Sequence, residues 1–430
     1  MRNICFYFQI HNPYRLKKYR FFEIGQDHYY YDDFQTEERL RRNVDLSYLN
    51  ANRTILDMIR SSNGKFKCGF SISGIAIDQL EQFAPEVIDS FKELAKTGSV
   101  EFLAEPYAHS IASVYNTEEF ERQVKKHEHK IEELFGKKPT AIANTELIYS
   151  DEIGEMVAKM GYKTMLMDEA KHVLGWKSPN FLYQHSYVSK LKLLVRNQKF
   201  SDDLAFRFSN QSWSEQPMTA EKFAGWLASL PQDELIVNIG LGYEAFGILN
   251  NVNTGFFDFF KALPYYIMEQ HMNFVLPSEC AKLIESSGAL SVPYPISWVG
   301  HEKDLSAWNG NDLQNEALSK LYAVAERVHL CSDKPLQRDW LLLQSIDHFR
   351  YMSHKDAYNS NYESAYEAFM NYMNVLADFL ERVEAQYPTT IDNEELSELL
   401  KTINNQEKEI AQLQEQIKKS RKRADSVREK

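Results

Sequence analysis

A chain of 430 residues, 43% hydrophobic and 26% charged, can bury a large core and has the length for two or three domains. Its net charge of −12 (49 Lys+Arg against 61 Asp+Glu) excludes a general polyanion binder. The start MRNICFYFQIHNP is too short for a secretory apolar region, and no run approaches the roughly 20 apolar residues of a membrane span. Cys5, Cys68, Cys280 and Cys331 form no CxxC pair, so the expectation is a soluble, cytoplasmic protein in a reducing compartment.

In chain order, the first predicted strand is ICFYFQ (4–9), which places His11 just past its C-terminal end. FKCGFSIS (66–73) is the second strand, and EVIDSFKELAKTG (86–98) is an amphipathic helix. SVEFLA (99–104) runs into EPYAHS and carries Glu101, Glu105 and His109. Carboxylates in and just after an apolar strand are costly unless paired or used. A helix over 118–136 leads to TAIANTE (140–146), which puts Glu146 at a strand exit. Ser150 then fits an N-cap, with Asp151 and Glu152 in the first turn, where the helix dipole favours them. KTMLM (163–167), LKLLVRN (191–197), ELIVNIGL (234–241) and FVLP (274–277) complete the strands.

Alternation of strands and helices over residues 1–285 predicts a parallel sheet closed into a β/α barrel. The second part, 286–388, is helical in period from about Asp312 to Glu384 and has no strand pattern. YPTT (387–390) breaks it, and 389–430 changes again. Heptads counted from Leu396 place Leu396, Ile403, Ile410, Ile417 and Ala424 at a, and Leu399, Gln406, Leu413, Ser420 and Val427 at d. Ile at a with Leu at d favours a parallel two-stranded coiled coil, so a homodimer through 391–430 is expected. Strand ends of a barrel are where catalytic side chains stand. The strand ending at Gly242 has no side chain there.

The segments HNPYRL, EFLAEPYAHS, NTELIYSDEI, GWKSPNFLY, SDDLAFRFSNQSW, SWVGHEKDLSAWNGNDLQ and QSIDHFRYMSHK, in this order, resemble the motifs of the α-amylase branch of glycoside hydrolase family 57. Together they span about residues 1–380 and leave the heptad tail outside the resemblance. It implies a distorted, incomplete seven-stranded TIM-like barrel followed by a helical domain. It also implies a retaining mechanism on α-1,4-glucans, with no metal or organic cofactor. Residue by residue, the resemblance makes Glu146 the nucleophile. It sets His11, Glu101 and His109 along the sugar subsite, with HNP where the family has HQP. Trp298, Asp304 and Trp308 would reach the cleft from the segment that enters the helical part. The family's second carboxylate belongs to an xDYETFG pattern; here the residues are LGYEAFG, and the aspartate is Gly242. SWVGHEKD also departs from SWADTERD, with Gly300 and His301 in place of Asp and Thr.

The departure matters because a sugar alkoxide is a poor leaving group. A retaining glycosidase needs one carboxylate to attack and a second group to protonate the leaving oxygen. Losing a general acid costs about 10²–10⁴-fold. Hydrolysis is therefore expected to be weak or lost. Glu244 shares a face with residue 242 if the strand continues, but the family has a Glu there too. Asp202 and Asp203 also belong to an ordinary family motif, and His301 is new and able to titrate near neutrality. The alternative to an impaired hydrolase is a non-catalytic glucan-binding or scaffold protein. Metal-dependent deacetylase or mannosidase chemistry is disfavoured, because HNP offers no Asp beside His11.

Overall fold

In the first strand, NICFYFQI, side chains alternate between two faces, as the two-residue period of a strand requires. Ile4, Phe6, Phe8 and Ile10 join an apolar cluster with the helix Leu49–Ser61 and with Phe256, Phe260 and Leu263 of a later helix. Cys5 and Tyr7 face the other way and meet Leu103, Ala141, Ala143, Leu166, Leu194 and Ile236. The computed structural model describes residues 1–355 and 361–386, with short helical pieces at 398–399, 401–403, 405–406, 408–410 and 412–413.

The strands are β1 (Asn3–Ile10), β2 (Cys68–Ile72), β3 (Val100–Phe102), β4 (Ala141–Ala143), β5 (Thr164–Asp168), β6 (Leu182–His185), β7 (Lys192–Arg196), β8 (Ile236–Gly242), β9 (Asn273–Phe274) and β10 (Ala289–Leu290). β1 lies in parallel between β2 and β8, β2 pairs with β3, and β5 lies between β4 and β7, all in parallel. The Ala104–Ile142 bridge joins the end of β3 to β4, and the Arg196–Asn238 pair joins β7 to β8. Followed from strand to strand, these pairings return to their start. β6 was not expected: it runs antiparallel to β7, with Leu182 opposite Leu194, so the sheet is not purely parallel. β9 is shorter than FVLP suggested, because Pro277 begins a helix, Pro277–Leu283. That helix lies against the N-terminal end of the strands: a Cβ on Gly69 would meet Pro277 Cγ at 2.8 Å.

Beyond Leu290 the described residues hold helices and no strand: Ser306–Asn309, Asp312–Ala323, Ala325–Leu330, Lys334–Leu343, Ile346–Arg350 and Ala365–Gln386. Trp308, Leu318, Leu343 and Phe379 share one apolar cluster with Ile142, Met165 and Val195 of the strands. The helices are therefore fastened to the sheet by core packing. None of the helices among the described residues is long and apolar enough to cross a membrane. Most of 389–430, with the heptad pattern, lies outside the described residues. Leu399, Ile403, Ile410 and Leu413 within it are 43–57% exposed.

Candidate active site

β4 stops at Ala143 because Asn144 turns the chain. Its side chain accepts from Thr145 N–H (2.9 Å) and donates to the Ile148 carbonyl (2.9 Å). Glu146 follows with a φ of 49° and Leu147 with 53°. Among the described residues, four of the six non-glycine residues with positive φ stand at this site: His109, Glu146, Leu147 and Lys303. Such conformations cost about 1–3 kcal/mol each and persist where their surroundings over-determine them. Glu146 Oε1 accepts from His109 Nε2 at 3.0 Å, and Oε2 accepts from the Trp298 indole N–H. The backbone closes the same contact, with Trp298 N–H donating to the Glu146 carbonyl at 3.1 Å. His109 is fully buried, whereas the Glu146 side chain is 17% exposed, so the carboxylate is the accessible end of the pair.

The imidazole of His109 lies between Glu146 and Glu105, whose Oε1 is 3.7 Å from Nδ1. Burial works against a charge on this ring, but the two carboxylates outweigh it and raise its pKa to about 10. His109 is therefore a cation at neutral pH. Burial also pushes the Glu146 carboxyl up, and the bond and charge of His109, the charge of Arg350 and the Trp298 bond more than offset it. The net direction is downward, so Glu146 is ionised, as a nucleophile must be. Glu105 is itself held by the Ser71 hydroxyl, and Ser71 pairs in register with Gln9, which pairs with Gly242.

His11 stacks on His109 with ring centroids 4.0 Å apart. Burial and the charge of His109 lower its pKa. A neutral ring fits its bonds: Nε2–H donates to Asp347 Oδ2 at 2.7 Å, and Nδ1 accepts from the Ser73 hydroxyl at 2.8 Å. Asp347 comes from the helix Ile346–Arg350, so the helical part supplies a side chain to the strand ends. Opposite, Arg196 lies over the Trp298 ring at 5.2 Å and donates to Asp168 (3.1 Å) and Asp202 (2.7 Å). Lys303 Nζ donates to Asp168 at 2.7 Å and to the Trp298 carbonyl at 3.0 Å. This buried charge network holds the indole that touches Glu146.

Gly242 ends β8 with its missing side chain directed to the same mouth, since Ile236, Asn238, Gly240 and Gly242 share one face by alternation. Its φ of −64° suits any residue, so the backbone does not require glycine. A Cβ placed there would meet one group within 4 Å, Glu244 Oε2 at 3.0 Å.

The strand ends thus bring His11, His109 and Glu146 together with Trp298. Glu101 is not among them. It faces the lower end of the sheet, accepting from Ser278 N–H (2.9 Å) and the Thr140 hydroxyl (3.4 Å), and Glu105 stands in the site instead. Its position four residues earlier on the same face explains the difference. Asp304 is exposed and accepts from Ser306 N–H and Oγ at the start of the turn Ser306–Asn309. Trp308 is fully buried in the core, its indole N–H without a hydrogen-bond partner among the described residues. His301 is exposed on its loop. Ser150 caps its helix as expected, accepting from Ile153 N–H at 3.3 Å. Sequence reasoning missed Gln9, Ser73, Asp168, Arg196, Lys303 and Asp347. For Asp168 and Arg196 the signal was a charged residue at the end of an apolar run, TMLMD and KLLVR.

The family model for glycosyl hydrolase family 57 matches residues 5–293. A protein of Methanocaldococcus jannaschii named "Putative alpha-amylase" is 35% identical over 400 residues, which cover 87% of this chain and 84% of that protein. Two crystal structures share the fold at 14% identity. One is a GH57 branching enzyme from Thermococcus kodakaraensis in complex with glucose and additives, with a TM-score of 0.66, covering 93% of this chain and 94% of that one. The other is a 4-alpha-glucanotransferase from Thermococcus litoralis, with a TM-score of 0.64 and 87% of this chain covered. This chain spans 60% of the length of the glucanotransferase.

Proposed function

The chain belongs to glycosyl hydrolase family 57, and on that premise we propose that it acts on α-1,4-glucans such as starch, glycogen or maltooligosaccharides. Glu146 is the nucleophile of a retaining mechanism. The observation that carries this reading is the pairing of an accessible, ionised Glu146 with the buried cation His109 and the indole N–H of Trp298. These donors leave the carboxylate charged and fix its direction, which is what attack at an anomeric carbon needs. His11 supports the same subsite as a neutral ring. The family's acid/base position is Gly242, so residue 242 donates no proton.

The circuit of strand pairings supports a distorted seven-stranded barrel over 1–285, with a helical domain at 286–388 and a dimerising coiled coil at 389–430. Asp304 and Trp308 belong to the segment linking barrel and helices, and their part in the reading is to shape it. The second reading is a non-catalytic glucan-binding or scaffold protein, which the glycine at 242 and the exposed tail residues favour.

Turnover and binding of maltopentaose separate the two. The leading reading expects hydrolysis weakened by the glycine at 242, which the Glu146→Gln variant loses while still binding the sugar. Tight binding with no hydrolysis by the unmodified protein selects the second.

A further inference from the structure

We propose that Glu244 is the proton donor of this site, its carboxyl taking the place that the glycine at 242 leaves open; the inference rests on Glu146 being the nucleophile. Three observations carry it. β8 ends at Gly242 and the chain turns at once into a short 3-10 helix, Tyr243–Ala245, in which the Tyr243 hydroxyl is taken up by Asn52, away from Glu244. Glu244 Oε2 lies 3.0 Å from where a Cβ of residue 242 would be. The oxygens of an aspartate there would sit about 2.4 Å from that Cβ by standard bond lengths, so Glu244 brings an oxygen to a comparable distance from it. No other residue among those described bonds the Glu244 carboxylate, which leaves it free to meet a sugar oxygen. The charged groups felt by Glu244 are consistent with an acid. Burial raises its pKa and the charge of Glu146 adds to that, to about 7. The other titratable group near it is the buried phenol of Tyr48.

The glycine thus has a positive role. A side chain at 242 would press its Cβ on Glu244 Oε2 where that oxygen now lies. The reaction balances as follows. Glu146 attacks the anomeric carbon and the glycosidic C–O bond breaks. The Glu244 carboxyl gives its proton to the departing oxygen. The Glu244 carboxylate then takes a proton from water, whose oxygen attacks the anomeric carbon and frees Glu146. A raised pKa suits the first step, and its loss of the proton suits the second.

The test compares the full chain and its Glu244→Gln variant on maltopentaose and on 2,4-dinitrophenyl α-maltoside, whose leaving group needs no proton. The expected result is a kcat/KM on maltopentaose lowered by about 10²–10⁴-fold in the variant. Release of the first equivalent of dinitrophenol should change far less, which also shows that the variant is folded. Azide should restore turnover of the aryl substrate in the variant by giving a glycosyl azide, because azide needs no base. Maltopentaose hydrolysis by Glu244→Gln within about twofold of the unmodified protein overturns the proposal. So does an unmodified protein that forms the adduct on Glu146 yet leaves maltopentaose intact; in that case the nucleophile stands and the donor falls. Absence of any adduct from the aryl substrate removes the nucleophile and the donor with it.

Discussion

Asp168 is fully buried between Lys303 and Arg196, themselves 9% and 6% exposed. Replacing it by alanine leaves two cations facing an emptied space. Arg196 keeps Asp202 and the Gly240 carbonyl. Lys303 keeps the Trp298 carbonyl alone. Breaking a buried ion pair from one side costs about 3–5 kcal/mol, because the surviving charge stays out of water unpaired. Asp168→Ala should therefore lose about 3–5 kcal/mol of unfolding free energy, most of it on account of Lys303. Removing that charge too should recover much of the loss, since replacing both partners by apolar groups is often close to neutral. Urea unfolding of the unmodified protein, Asp168→Ala, Lys303→Met and the double variant closes the cycle. Groups in contact couple by about 0.5–3 kcal/mol, and the upper half of that range is expected here. Additivity within about 0.5 kcal/mol would refute the reasoning. It would mean that Lys303 escapes to water, and that the Trp298 carbonyl is not held by this network.

Gly242→Asp on its own should change maltopentaose turnover by less than about tenfold, whereas in the Glu244→Gln background it should restore about 10² or more, measured as kcat/KM; no rescue in the double variant would separate the two positions. His109, with its pKa raised to about 10 against burial by Glu105 and Glu146, makes stability depend on alkaline pH. Its contribution is whole below the ordinary histidine value of about 6.5 and is lost as pH rises through 10. Thermal unfolding between pH 6 and 10.5 should show that decline, and His109→Gln should flatten it. Truncation after Pro388 should leave a folded monomer and the full chain should sediment as a dimer; a monomeric full chain at tens of micromolar would remove the coiled-coil dimer.

Where the sequence was legible, single-element physics was enough. The alternation in NICFYFQI, the Ser150 cap and the helices 86–98 and 118–136 depend on neighbours along the chain. The His11, His109 and Glu146 cluster followed from residues at strand ends, because parallel strands bring those ends together. β6 was missed because LYQH is short and its partner is the adjacent β7, a hairpin that the strand-helix rhythm hides. Glu101 was placed wrongly because a carboxylate on the inner face can be satisfied at either end of a strand, and only the packing of Pro277–Leu283 decides which. Asp347, Asp168 and Lys303 are separated by more than a hundred residues from the groups they touch at His11 or one another, so no local pattern could join them. The standing of Glu244 needed a distance, since its motif position alone is the family's own.

A retaining mechanism at this site requires a covalent bond between the sugar and Glu146. Incubating the full chain with 2,4-dinitrophenyl α-maltoside, quenching in acid and reading peptide masses measures it. The expected result is one maltosyl unit on the peptide that contains Glu146, absent from Glu146→Gln. No adduct under conditions where the aryl substrate is consumed, or an adduct on a different carboxylate, would contradict it.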